Sequence, residues 1–325
     1  MNSPASRSVQ LISPIPRKDT DLTVTIIICT RNRVAPLRKC LEAVAELEPP
    51  ADGILVVDNT AGDRETEQLA REFAARYIVE PSPGLSRARN LGFAESHTDI
   101  VAYLDDDAEP YKNWLRFILD PFKDANVAAV SGDTLTRESV SSTASPAQPR
   151  TVSNQVPFWF EMATFGGLGF GTNMALRKSA CGAGKVFDER LGRGAPLRIA
   201  EESHAFASLL TRGYSAVHIP AAIVIHPEKP RDIEIEATSS MAYWLLLYFE
   251  FPGSRFDLLR FLFRRLIGKP LTWTRDPQGP GEIVSSSWRV HLKAGLNGAL
   301  LYFRNRRPVD NSSGSPLAAE RSHDR

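Results

Sequence analysis

The feature that most constrains the fold is a rhythm. Short β-branched runs are cut off by polar residues and followed by segments of helical period. Val24-Thr-Ile-Ile-Ile-Cys29 is the first such run, and Leu37, Leu41, Val44 and Leu47 then recur at helix spacing up to Pro49-Pro50. Ile54-Leu-Val-Val57 reads as a second strand ending in Asp58-Asn59, Arg64 to Arg76 as a helix, and Tyr77 to Val79 as a short strand. After the turn Pro81-Ser-Pro-Gly84, Leu85 to Glu95 reads as a helix, and Ile100-Val-Ala-Tyr-Leu104 runs straight into Asp105-Asp-Asp107. A helix around 113–122 and a strand around 127–130 follow. Strands alternating with helices predict an α/β fold with a mostly parallel, doubly wound sheet. Ligands of such sheets bind beyond the carboxyl ends of the strands. Asp58 and the Asp105–Asp107 run both lie at such ends.

Further along, Thr134 to Val156 is rich in Ser, Thr, Pro and Gln and reads as a long connection. Phe158-Trp-Phe160 and Gly166-Gly-Leu-Gly-Phe-Gly171 suit either a pocket wall or the edge of a core. Met174 to Arg177 reads as a strand end, and Glu201 to Arg212 as a helix stopping at Gly213. Ile219 to Ile225 is an apolar run ending at His226-Pro227. From Ser239 the composition changes. Met241 to Phe251 and Phe256 to Ile267 are strongly apolar and helical in period, the second with Arg255, Arg260, Arg264 and Arg265 among its apolar residues. They fit a helical appendage packed on the main domain, an amphipathic contact with an anionic membrane surface, or a homo-oligomer contact.

Several residues are candidates for chemistry. Three adjacent acids at a strand end repel one another, which raises at least one pKa unless a cation sits there. Oxygen ligands of this kind suit Mn²⁺ or Mg²⁺; a solvated acidic loop is the plainer alternative. His226 is either structural or, if the fold brings it to the aspartates, a third metal ligand. Glu201-Glu202 opens a helix, where acids complement the dipole; a carboxylate there could also accept a proton from a sugar hydroxyl. Asp58 could accept a hydrogen bond from a uracil N–H, or cap a turn. Arg87 and Arg89, beside Gly84 at a helix start, suit a diphosphate or a solvated face. Arg31 and Arg33 carry the same two readings.

Taken in order, Thr25-Ile-Ile-Ile-Cys-Thr-Arg-Asn-Arg33, Val56-Val-Asp-Asn59, Gly84-Leu-Ser-Arg-Ala-Arg-Asn-Leu-Gly92 and Tyr103-Leu-Asp-Asp-Asp107 form a specific set. Gly171-Thr-Asn-Met-Ala-Leu-Arg177, Phe187-Asp-Glu-Arg-Leu191, Glu201-Glu202 with Arg212-Gly-Tyr214, and Ile219 to His226 continue it. Over residues 23–230 the chain resembles a family 2 glycosyltransferase of GT-A fold. The resemblance implies a Rossmann-like, mostly parallel sheet flanked by helices, with a C-terminal helical appendage. It implies an inverting transfer from a nucleotide-diphosphate sugar, UDP-sugar favoured, to a glycan, lipid-linked or other hydroxyl acceptor. By position, Thr30 and Asp58 match nucleobase contacts and Arg87 an arginine near the nucleotide. Asp105 matches the first acid of a DxD-like motif and Asp107 its main metal ligand. Glu202 matches the catalytic base, and His226 a histidine near metal and diphosphate. Arg31, Arg33, Arg89 and Asp106 complete the expected donor-binding set. The chain departs from the family pattern at the pair itself, Glu-Glu for Glu-Asp, and at Ala200, His204 and Ser208, where Gly, Asp and Arg are common.

The expected organisation is a disordered leader over 1–22, a catalytic domain over 23–235, a helical region over 236–308 and a disordered tail over 309–325. Within the catalytic domain, the nucleotide-binding half is about 23–133 and the acceptor-binding half about 157–235. Among 325 residues, 39 basic and 38 acidic side chains give a net charge of +1, which argues against a chain-wide nucleic-acid footprint. Cys29, Cys40 and Cys181 form no metal or disulfide pattern and read as reduced core thiols, which fits a cytoplasmic protein. The leader lacks the apolar segment of a secretory signal. Two other classes stay open. A sugar-1-phosphate nucleotidylyltransferase should carry a Gly-rich loop with Lys after the first strand, and none follows Cys29. A non-catalytic nucleotide-sugar or glycan-binding relative differs only by lacking turnover.

Overall fold

The computed structural model describes residues 22–140, 148–165, 168–182, 184–228, 232–251, 253, 255–267 and 288–306. The leader, the tail and Gly166-Gly167 lie outside these. The strands are β1 (Val24–Thr30), β2 (Gly53–Asp58), β3 (Arg76–Val79), β4 (Ile100–Asp105), β5 (Glu109–Pro110), β6 (Val127–Leu135), β7 (Arg150–Ser153), β8 (Asn173–Arg177) and β9 (Ser215–Ile225). The helices are α1 (Val34–Ala45), α2 (Arg64–Glu72), α3 (Leu85–Glu95), α4 (Trp114–Leu119), α5 (Arg137–Val140), α6 (Trp159–Thr164), α7 (Lys178–Cys181), α8 (Glu201–Thr211), α9 (Ile233–Glu250), α10 (Arg255–Ile267) and α11 (Trp288–Asn305).

The sheet runs β3-β2-β1-β4-β8-β6-β9-β5, with β7 also on β9. Its first four strands are parallel. Strand β8 then runs antiparallel between β4 and β6, and β6 and β9 are parallel again. Residues 134–156, expected as a bare connection, contain the end of β6, helix α5 and strand β7. The Ser/Thr-rich composition hid β7, whose pairing with β9 comes from tertiary context.

Strand β1 is buried on both faces, which explains its unbroken apolar run. Ile26 and Ile28 point to one core with Leu37, Leu41 and Trp114, and Ile27 points to the other with Val57, Phe93 and Tyr103. A third cluster joins α9 to the sheet domain through Phe160, Leu191, Tyr243, Leu246 and Leu247. An ionic tie supports it: Arg190 reaches both Glu250 oxygens at 2.7 Å and also pairs with Asp188. Burial raises the Asp188 carboxyl, but the Arg190 hydrogen bonds outweigh it and hold the pKa at about 2.

Helix α3 lies unusually close to the sheet because Gly92 faces it. A Cβ there would sit 2.8 Å from Ile27 Cγ2 and 3.1 Å from Val57 Cγ2. The Gly92→Ala variant is therefore expected to lose about 1–3 kcal/mol of stability through overpacking, measured by chemical denaturation.

Candidate active site

The carboxyl ends of β1, β2 and β4 open onto a cleft lined by Cys29, Thr30, Arg31, Arg33, Asn59, Gly84, Leu85, Asp105, Asp106 and Arg193, among others. Beyond β1 the chain turns through Asn32, whose φ of 55° is one that Asn tolerates. Arg33 then returns over the acids. Its guanidinium donates to Asp106 Oδ1 at 2.6 Å and to Asp107 Oδ2 at 2.8 Å. The Thr30 hydroxyl donates to Asp106 Oδ2 at 2.7 Å. Burial, opposed by Thr30 and Arg33 and reinforced by the flanking aspartates, pushes Asp106 up to about 6. The repulsion expected of three adjacent acids is thus met by a side-chain cation on one flank.

On the other flank, β9 delivers His226. Its Nε2 lies 3.0 Å from Asp107 Oδ1 and 3.6 Å from Asp105 Oδ2. Ligand atoms of Asp105, Asp107 and His226 lie within 4.8 Å of one another. Two hard carboxylates and one imidazole from two strand ends form a donor set that fits a divalent ion such as Mn²⁺ or Mg²⁺. Ligands on opposite sides of one such ion stand about 4.2 Å apart, so small side-chain rotations close the set.

Arg89 lies beneath this cleft, not on its wall. It is 2% exposed. It donates to Glu201 Oε1 at 2.9 Å and the Gly171 carbonyl at 3.0 Å, and lies 3.4 Å from Asp105 Oδ1. Its guanidinium also stacks near the Tyr103 and Phe187 rings, at 5.9 and 5.6 Å. The guanidinium expected at a diphosphate is thus engaged in an internal tie. Residues 87 and 89 are two apart on a helix and so face different ways. Arg87 faces outward to Glu189 at 3.1 Å and also leaves the cleft wall.

Asp58 is likewise engaged from within the protein, as the turn-capping reading expects. It is fully buried, and its carboxylate accepts from Thr60 Oγ1, Asp63 N–H and the Tyr77 hydroxyl. Burial first, then the Asp58 hydrogen bond, pushes Tyr77 up to about 12. The neighbouring Asn59 takes the place on the wall. Its amide donates to the Glu80 and Ser82 carbonyls, and its Oδ1 accepts from Gly84 N–H at 2.8 Å. Asn59 thus shapes the turn that forms one side of the cleft. Arg193 and Gly194 were also missed, and their only sequence signal is an Arg between two glycines. A Cβ on Gly194 would lie 3.2 Å from the Gly84 backbone, so the two loops close on each other there. Cys29 reaches the wall, but burial pushes its thiol up to about 12, which keeps it protonated and unreactive.

The Glu201-Glu202 pair opens α8 beside this network. Glu201 is held by Arg89. Glu202 is half-buried and hydrogen-bonds the Glu201 side chain. Burial first and the Glu201 charge second raise Glu202 above the ordinary carboxylate range. From α9, the buried Tyr243 hydroxyl has no hydrogen-bond partner among the described residues. Burial, then the charges of Glu202 and Glu201, raise its pKa well above the usual value. His204 packs edge-on against Tyr243 and Phe251, with centroids at 6.2 and 4.9 Å, so this departure from the family pattern serves the α8–α9 contact. Ala200, before the pair, adopts φ 68° and ψ 20°. That left-handed conformation explains the glycine common there.

A Ser131–His218–Asp133 chain elsewhere has the composition of a hydrolytic triad, with contacts of 3.1 and 3.0 Å. Ser131 is buried, however, and donates to the Leu168 carbonyl, which makes the chain a structural brace between β6 and β9.

The fold is that of the GT-A glycosyltransferases. A mannosyltransferase from Pyrobaculum calidifontis, PcManGT, solved in complex with GDP-Man and Mn²⁺, superposes with a TM-score of 0.54 at 15% identity, over 93% of this chain and 92% of that one. Residues 25–183 match the model of Glycosyl transferase family 2. Glycosyltransferase AglE of Haloferax volcanii is 33% identical over 118 residues, 34% of this chain and 38% of that protein. The "Probable glycosyltransferase YdaM" of Bacillus subtilis is 28% identical over 228 residues, 63% of this chain and 50% of that one. The chain thus spans half or less of the length of these two curated relatives.

Two outcomes test the site's construction. Arg89→Met leaves Glu201 buried without its counter-charge and is expected to cost about 3–5 kcal/mol in urea unfolding. Ala200→Gly relieves the left-handed strain, partly offset by a more flexible unfolded chain, and is expected to gain about 0.5–1 kcal/mol in the same assay.

Proposed function

We propose that this chain is an inverting glycosyltransferase that moves a sugar from a nucleotide-diphosphate donor to a hydroxyl acceptor. The observation that carries the reading is the bridge by which Arg89 joins Asp105, at the nucleotide cleft, to the Glu201-Glu202 pair on α8. Donor site and base are thereby held in one rigid unit, the arrangement that a direct displacement requires.

In this reading the nucleotide occupies the cleft, with Thr30, Asn59 and Leu85 toward its base and Arg31 and Arg193 available to its phosphates. A uridine donor is favoured by the family resemblance. Asp105, Asp107 and His226 would hold a divalent ion, which supplies Lewis-acid neutralisation of a diphosphate leaving group when bound. Glu202 accepts the proton of the acceptor hydroxyl as that oxygen attacks the anomeric carbon. One bond forms on the face opposite the bond that breaks, so the configuration inverts. The transition state is oxocarbenium-like. The raised pKa of Glu202 suits this role, because a general base works best with a pKa near the operating pH.

Glu202→Gln is expected to lower turnover by about 10²–10⁴-fold while donor binding persists. It can be assayed as transfer to a panel of hydroxyl acceptors and as slow donor hydrolysis. Wild-type turnover in that variant would remove Glu202 from the mechanism. The pH profile carries a sign. A base must be deprotonated, so kcat/KM should fall as pH drops through the raised Glu202 pKa, placing the acid limb above the ordinary carboxylate range. Glu201→Gln removes the neighbouring negative charge, so Glu202 loses its proton more readily and the limb should move to lower pH. An unmoved limb would assign it to another group.

A further inference from the structure

Helix α10 presents a contradiction for a protein surface in water. Its inner face is buried, with Leu258 at 1% exposure and Phe261 at 6%, and Phe261 stacks on Phe165 at 4.1 Å. Its outer face carries Phe256, Leu259 and Phe263, exposed to 73%, 51% and 62%. Those positions follow i, i+3 and i+7, so they form one stripe. Large apolar side chains grouped in a stripe, not scattered, mark a contact surface.

The charges beside the stripe say what it contacts. The helix sequence carries Arg255, Arg260, Arg264 and Arg265 against a single acid, Asp257. Arg255 lies over the Tyr248 ring at 5.2 Å and Arg260 over the Phe158 ring at 4.5 Å. Among the described residues neither guanidinium is within ion-pair distance of a carboxylate. A second copy of this face would bring like charges together, because a two-fold contact pairs a patch with itself. An anionic lipid surface meets both needs: headgroup phosphates for the arginines and the acyl boundary for the apolar stripe.

We propose that α10 docks this protein onto an anionic lipid bilayer. Phe256, Leu259 and Phe263 enter the boundary between headgroups and acyl chains, and Arg255 and Arg260 contact lipid phosphates. No helix among the described residues is long and apolar enough to cross a membrane, so the contact is peripheral. Because α9 is fastened to the catalytic unit by the Arg190–Glu250 pair and by Tyr243, docking of α10 would fix the active site at a set height over the lipid.

The test is co-sedimentation of the full chain with phosphatidylcholine vesicles, with and without about 30% phosphatidylglycerol. The anionic vesicles are expected to bind at least about tenfold more tightly, and the difference to shrink at high salt as charges are screened. The variants Phe256→Ser/Leu259→Ser/Phe263→Ser and Arg255→Gln/Arg260→Gln should each lose about tenfold or more of that binding. Both change partly or fully exposed side chains, and circular dichroism with thermal unfolding checks that they fold. Absent or charge-independent binding of the wild type overturns the proposal, as does undiminished binding by the folded triple-serine variant. A dimer that the triple variant splits, with no vesicle binding, would assign the stripe to a second copy instead.

Discussion

Five carboxylates crowd the carboxyl edge of this sheet; Arg33 faces Asp106 and Asp107, and the buried Arg89 guanidinium ties the aspartate run to the glutamate pair through Asp105 and Glu201. Asp105, Asp106 and Asp107 leave β4, while Glu201 and Glu202 open α8. One charge 2% exposed reaches across to both groups. Isolated burial of a cation would be prohibitive. Here two carboxylates and the Gly171 carbonyl receive it, and the Tyr103 and Phe187 rings flank it. Breaking such a pair is costly even where the intact pair adds little net stability. Its role is therefore geometric: it sets the distance between Asp105 at the cleft and Glu201 on α8. On the same helix, Gly92 lets α3 pack closely on β1 and β2, where a Cβ would meet Ile27 and Val57.

Much of this was legible in the sequence, for reasons that can be named. The β-branched run of β1 and the apolar run of β4 mark strands buried on both faces, and the acids that end β2 and β4 mark the carboxyl edge where ligands of such sheets bind. His226 is far in sequence from Asp105 and Asp107, and the topology that carries the end of β9 to the end of β4 brings it to them. What stayed hidden depended on side-chain direction. A motif places Arg87 and Arg89 near a nucleotide, but it does not say that one faces Glu189 and the other turns inward. Asp58 sits at a strand end, as a ligand contact would, yet the Thr60 hydroxyl, the Asp63 N–H and the Tyr77 hydroxyl already occupy its carboxylate. Asn59, one residue on, works through backbone groups of residues 80–84 that no local pattern reveals.

The C-terminal helices are joined to this chemistry and are not a passive appendage. Helix α9 supplies Tyr243 beside the Glu201-Glu202 pair and Glu250 to Arg190. His204 on α8 packs against the same helix through Tyr243 and Phe251. The departures from the family pattern therefore cluster where α8 meets α9. His204 adapts that contact, and Ala200 takes a strained backbone at the pair's threshold. The start of α8 and the helical region are packed as one unit.

If the cleft of Thr30, Asn59, Asp105 and Arg193 is a nucleotide-diphosphate site, its affinity depends on an ion held at Asp105, Asp107 and His226. Calorimetric titration of UDP, GDP and TDP into the full chain, with Mn²⁺ and with EDTA, tests this most directly. UDP is expected to bind with Mn²⁺ and at least about tenfold more weakly in EDTA, which would remove the ion that the carboxylates would hold beside the diphosphate. Binding of no nucleotide by the folded protein, or UDP binding indifferent to EDTA, would contradict it.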